Sequence, residues 1–99
     1  ELKDRRILAE EGFVSVYAVV ETTTGTILAG PHIQARGVAE DDSVFEEILP
    51  DVTKALSAAL ETGKADAYSL QQVMRRTLGR WIGRRLRRRP MIVPVVIEA

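Results

Sequence analysis

Cysteine is missing from this chain, and histidine occurs once, at position 32. The first absence excludes disulfides and thiolate metal sites, and it fits a cytosolic protein. The second excludes a multi-histidine zinc site, since a hydrolytic zinc takes three protein ligands that usually include histidines. A histidine-dependent triad would have to use His32. That residue sits in Gly30-Pro31-His32 with no serine or cysteine nucleophile motif, and it reads as a loop residue. Phosphate-binding loops of the G-x-x-x-x-G-K-[ST] and G-x-G-x-x-G types are missing too. So is any apolar run near the ~20 residues a membrane span needs, and no apolar stretch follows the charged start as a secretory signal requires. Glu40-Asp41-Asp42 lacks calcium-loop spacing and reads as a solvated helix start.

What is present bounds the answer. A chain of 99 residues is one domain, able to bury roughly 60–70% of its unfolded surface. It starts at Glu1, which reads as a piece of something longer. The net charge of zero hides a split. Residues 1–66 carry 6 basic and 13 acidic side chains, net −7, while residues 67–99 carry 8 arginines and one acid, net +7. Either the halves neutralise each other on folding or the domain has one basic face.

Leu2 to Glu11 reads as an extended lead-in. Phe13 to Val20 is the clearest strand, β-branched and aromatic. Phe13, Ser15, Tyr17 and Val19 point one way and Val14, Val16, Ala18 and Val20 the other. Both sets are largely apolar, so this strand is central or covered on both sides. Thr23-Thr24-Gly25 reads as a hairpin turn, with a returning strand from Thr26 that is bent at Gly30-Pro31 and resumes over Ile33 to Arg36. Ser43-x-x-Glu46 matches a capping box and opens an amphipathic helix carrying Phe45, Ile48, Leu49, Val52, Leu56, Ala59 and Leu60. Pro50 should kink or divide it, and Gly63 suits its end. Ser69-x-x-Gln72 is a second such box. The helix after it buries Leu70, Val73, Met74, Thr77, Leu78, Trp81, Ile82 and Leu86, with Arg76, Arg80, Arg84 and Arg87 at helical spacing on another face. Gly79 and Gly83 weaken it, and a close helix approach would account for them.

Pro90 stops that helix, and an apolar strand finishes the chain. Met91, Val93, Val95 and Ile97 share one face; Ile92, Pro94 and Val96 share the other. Pro94 argues for an edge strand, and an apolar edge needs a cover. Met91, Ile92, Val93, Val95, Val96 and Ile97 are therefore candidates for self-association or for docking on a neighbouring domain. The expected fold is α+β, a small three-stranded sheet in β-β-α-α-β order with two helices on one face. Arg84, Arg85, Arg87, Arg88 and Arg89, joined by Arg75, Arg76 and Arg80, are candidate phosphate contacts to a nucleic acid, because the guanidinium fork binds phosphate bidentately and stays charged. Such a run also forms solvated helix ends or docks on acidic neighbours. Trp81 falls in the buried stripe and reads as core rather than as a stacking platform.

Three stretches carry a resemblance. Arg88-Arg89-Pro90-Met91-Ile92-Val93-Pro94 with Glu98 resembles the R-R-P-M-I-x-P-x-x-x-E close of ribonuclease J. Leu2-Lys3-Asp4-Arg5-Arg6-Ile7-Leu8-Ala9-Glu10-Glu11-Gly12 is similar to that family's L-R-D-R-R-x-L-x-E-x-G segment. Gly30-Pro31-His32-Ile33-Gln34-Ala35-Arg36-Gly37 is similar to its G-P-x-I-x-S-R-G, with Ala35 where serine is usual. The resemblance implies that residues 1–99 are a single carboxy-terminal domain of a bacterial cytoplasmic ribonuclease, with 1–11 leading in from the catalytic region. The parent would cut RNA both endonucleolytically and from 5′ to 3′, in maturation and decay. Its zinc would lie in a metallo-β-lactamase and β-CASP core whose histidine and aspartate motifs are not in these residues. No catalytic residue, metal ligand or cofactor is expected in this domain, which by itself should be inactive. Its expected partners are a second copy or the parent's catalytic domains. RNA is met through the parent or directly; DNA and membrane are not expected. Two roles stay open, assembly through the sheet and RNA binding through Arg84 to Arg89. Salt separates them, since phosphate contacts weaken steeply as salt rises.

Overall fold

The computed structural model describes residues 12–99. The extended lead-in expected upstream lies outside the described residues. Strand β1, Phe13–Glu21, is followed by β2, Thr26–Arg36; then come a 3-10 turn, Asp42–Glu47, helix α1, Leu49–Glu61, helix α2, Ala67–Arg85, and strand β3, Met91–Glu98. This is the expected α+β fold in β-β-α-α-β order. The sheet order is β2-β1-β3, with β2 antiparallel and β3 parallel to β1. β1 is central, as its two largely apolar faces suggest, but only one face is covered by helices.

Alternation along β1 sorts its side chains. Val14, Val16, Ala18 and Val20 are completely buried beneath the helices, whereas Phe13, Ser15, Tyr17 and Val19 are half-buried on the open face. The helices supply the rest of the core. Val52, Leu56 and Leu60 of α1 and Leu70, Met74, Leu78 and Ile82 of α2 recur at helical spacing and are all buried. Each such side chain contributes about 1.5–3 kcal/mol when fully withdrawn from water. α1 packs on α2 and over β2, while α2 lies against β3. Among the described residues no polar or charged side chain is buried.

The helix predicted from Ser43 is divided at Pro50, as expected, with the proline in the first turn of α1. Ahead of it Phe45 and Ile48 are buried on the 3-10 turn and its cap. Three other local expectations need correction. Asp41, not Ser43, caps the 3-10 turn, accepting the Ser43 N–H at 2.9 Å. For α2 the cap is Asp66 and not Ser69. The Asp66 carboxylate accepts the Ser69 N–H at 2.8 Å, and the Asp66 N–H donates to Ser69 Oγ at 3.0 Å. The reciprocal box is therefore real, but it begins three residues earlier than the Ser69-x-x-Gln72 spacing suggests. His32 is not in a loop. It lies in β2 opposite Tyr17, with ring centroids 5.0 Å apart. Gly30, at φ +82°, takes up a register shift in the ladder where the bend was expected, and the strand runs on through Pro31.

Candidate functional site: an arginine groove and an open sheet face

β3 is an edge strand. Met91 and Ala99 donate their N–H groups to the carbonyls of Gly12 and Val20, at 3.2 and 2.9 Å. Alternation then turns the N–H groups of Ile92, Val96 and Glu98 to the free edge, together with the nitrogen of Pro94. Pro94 has no proton to donate, and it stands where none is asked for, as proline does at sheet edges. The strand's side chains divide in the same way. Ile92 and Val96 turn under α2, with Val96 only 9% exposed and Ile92 packed against the core. Met91, Val93, Val95 and Ile97 lie on the open face, where Val93, Val95 and Ile97 are 37%, 39% and 51% exposed. Of the six candidate docking residues, four are therefore presented and two are structural. Phe13, Tyr17 and Val19 of β1 extend the same open face.

The arginines sort by position along α2. Arg85 leans back to the 3-10 turn, its Nε and Nη2 donating to the two Glu47 carboxylate oxygens at 3.2 and 3.1 Å. Glu47 holds the guanidinium pKa above its ordinary value through those bonds. The others lie around a groove between α2 and the start of β3. One open hollow of about 790 Å³ is lined by Gly79, Arg80, Gly83, Arg84, Arg87, Arg88, Arg89, Pro90 and Ile92. A second, about 330 Å³, adjoins it through Gly79, Arg80 and Ile92 and adds Arg75 and Arg76. Among the described residues no acid lines either hollow. Arg84, Arg87, Arg88 and Arg89 are brought together as expected, Arg85 is not, and Arg75, Arg76 and Arg80 join them. On the other flank of α2, Arg80 and Arg84 border a hollow that also holds Asp51 and Lys54.

The glycines of α2 form the floor. A Cβ on Gly79 would meet Ile92 Cδ1 at 3.4 Å, so the close neighbour there is β3 and not a helix; a Cβ on Gly83 would meet nothing within 4 Å. Trp81 is on another side of the helix, 5.5 Å from Phe45 between ring centroids, and serves the core as its stripe position predicts. Arg87 is a candidate from its spacing, but its backbone conformation is not one that patterning foresees. It ends the helix in the left-handed region, at φ +57°, where glycine is the usual occupant.

The family model described as Ribonuclease J C-terminal domain matches residues 1–99. This chain belongs to that family. The ribonuclease J of Mycobacterium tuberculosis is 41% identical over 93 residues, 94% of this chain and 17% of the relative. That of Corynebacterium glutamicum is 34% identical, over 97% of this chain and 14% of the relative. Ribonuclease J 2 of Staphylococcus aureus is 32% identical, over 98% and 18%. The ribonuclease J domain described here therefore spans less than a fifth of the curated relatives it matches. Among the described residues no three histidine, aspartate or glutamate side chains gather to hold a metal. No helix among them is long and apolar enough to cross a membrane.

Proposed function

We propose that this chain is the non-catalytic carboxy-terminal domain of a cytoplasmic, zinc-dependent ribonuclease that cuts RNA endonucleolytically and from the 5′ end. Residues 1–11 lead in from the catalytic region, which holds the zinc. The domain assembles the parent by joining a second copy of itself through the open sheet face, and in doing so braces the catalytic core. The observation that carries this reading is that, among the described residues, nothing pairs with the outer edge of β3, and Val93, Val95 and Ile97 are exposed beside it. An apolar strand of this kind invites pairing unless it is covered.

Sedimentation across a concentration series tests it. The wild-type chain should exceed its monomer mass of 11.0 kDa, and Val95→Asp should return it to monomer with unchanged helix signal. A wild-type chain that stays monomeric at every concentration would overturn the self-association reading.

A further inference from the structure

We propose that the groove between α2 and β3 binds the phosphate backbone of a single RNA strand through Arg75, Arg76, Arg80, Arg84 and Arg87. The choice of RNA rests on the family reading; the site itself is independent of the sheet face, which lies on the opposite side of the sheet. Three observations point to the groove.

The first is a cluster of like charge. Among the described residues these five arginines make no ion pair, unlike Arg85, and no acid lines the groove. Arginine cations held together without acids repel one another, and a polyanion relieves that repulsion. The second is shape. Arg76, Arg80 and Arg84 form a row one side chain wide, spanning about 12 Å, the rise of three or four nucleotides at duplex spacing. Beside the row the helix carries Gly79 and Gly83 where side chains would fill the channel, and Ile92 and Pro90 complete an apolar floor. The third is Arg87. A non-glycine residue in the left-handed region is costly, and here its side chain faces the groove at the helix end. Arginines at a helix C-terminus are also favoured by the macrodipole, but that does not account for the open channel beside them. With Trp81 turned away to Phe45, no aromatic ring lines the groove among the described residues. The groove thus reads backbone and not base.

The test is binding of a short fluorescently labelled oligouridine to the 99-residue chain, read by anisotropy. With three or four phosphates engaged, affinity should fall with a log–log salt slope of about −2 to −3, roughly 20- to 50-fold between 50 and 200 mM salt. Arg76→Gln with Arg80→Gln should weaken binding and flatten that slope by about 1 or more. Arg85→Gln should leave affinity within about twofold, because Arg85 is turned to Glu47 and contacts no phosphate. Gly83→Leu keeps every charge but fills the channel, and it should weaken binding as well. Arg87→Gly should raise the urea midpoint while lowering affinity, a pair of opposite signs that a purely structural arginine would not give.

No binding by the wild-type chain at low salt would overturn the site. So would equal losses from Arg85→Gln and Arg76→Gln with Gly83→Leu silent, which would mean diffuse charge. Polyglutamate competing as well as unlabelled RNA, residue for residue, would assign the groove to an acidic protein surface instead. A monomeric chain that still binds RNA in this pattern would remove the self-association reading and leave the groove standing.

Discussion

Asp66 and two glycines show how single residues set the terms here. The Asp66 carboxyl lies below the ordinary carboxylate range because the Ser69 N–H donates to its charged form. A group whose pKa is depressed by folding stabilises the fold above its unfolded value of 3.8, and that contribution is lost as pH falls through the lower folded value. Asp66→Ala should therefore lower the thermal midpoint near neutral pH, and the gap from wild type should close in acid below 3.8, as followed by circular dichroism. Gly83 and Gly30 should respond with opposite signs to alanine. At Gly83 the backbone is helical and the space is open, so Gly83→Ala should add about 0.8–1.0 kcal/mol in urea unfolding. At Gly30 a Cβ would stand 2.7 Å from the Tyr17 carbonyl with φ at +82°, so Gly30→Ala should cost more than about 1 kcal/mol.

Among the elements, the strands and the helix stripes were legible because periodicity reports which side of an element is dry. Val14, Val16, Ala18 and Val20 at period two, and Leu70, Met74, Leu78 and Ile82 at period four, are all buried. Pro94 marked the edge strand for the same kind of reason, the loss of a donor. Helix starts were less legible, since Ser43 and Ser69 each compete with an aspartate two or three residues upstream, and a carboxylate accepts a backbone N–H more strongly than a hydroxyl does. The central place of β1 was legible in its two largely apolar faces, but nothing in β3 itself says that it runs parallel to β1. The groove was half legible. The row Arg76, Arg80, Arg84, Arg87 follows from spacing, but the turn of Arg85 to Glu47 depends on where the 3-10 turn is placed. Nor does spacing say that Gly79 and Gly83 clear a channel beside β3. A prediction follows for β3, whose two sides have different tasks. Val96→Asp puts a charge under α2, where a buried and unpaired carboxylate is strongly destabilising, and the domain should be unfolded by circular dichroism at 25 °C. Val95→Asp, one residue away on the open face, should leave the spectrum unchanged. Equal damage from both would mean that the open face is packed and not presented.

At the scale of the whole molecule, the charge split along the chain becomes a split in space. Glu40, Asp41 and Asp42 lie together around a hollow beside β2, while the groove arginines lie at the opposite edge of the sheet beside β3. The Arg85–Glu47 pair joins the two halves without cancelling them. A domain with one apolar face, one basic groove and zero net charge can then hold two contacts governed by different physics. Apolar association is indifferent to moderate salt or strengthened by it, whereas phosphate contacts weaken by counterion release. Raising salt from 50 to 500 mM should therefore leave the sedimentation mass of the wild-type chain unchanged while oligouridine binding is lost. The two surfaces share no residue and lie on opposite sides of the sheet, so their variants should act separately. Val95→Asp should change mass and not affinity per chain, Arg76→Gln with Arg80→Gln should change affinity and not mass, and the combined variant should show both losses and no more. A combined variant that lost affinity well beyond the arginine changes alone would mean that a single RNA strand spans two copies. Assembly would then be part of how the domain holds its substrate.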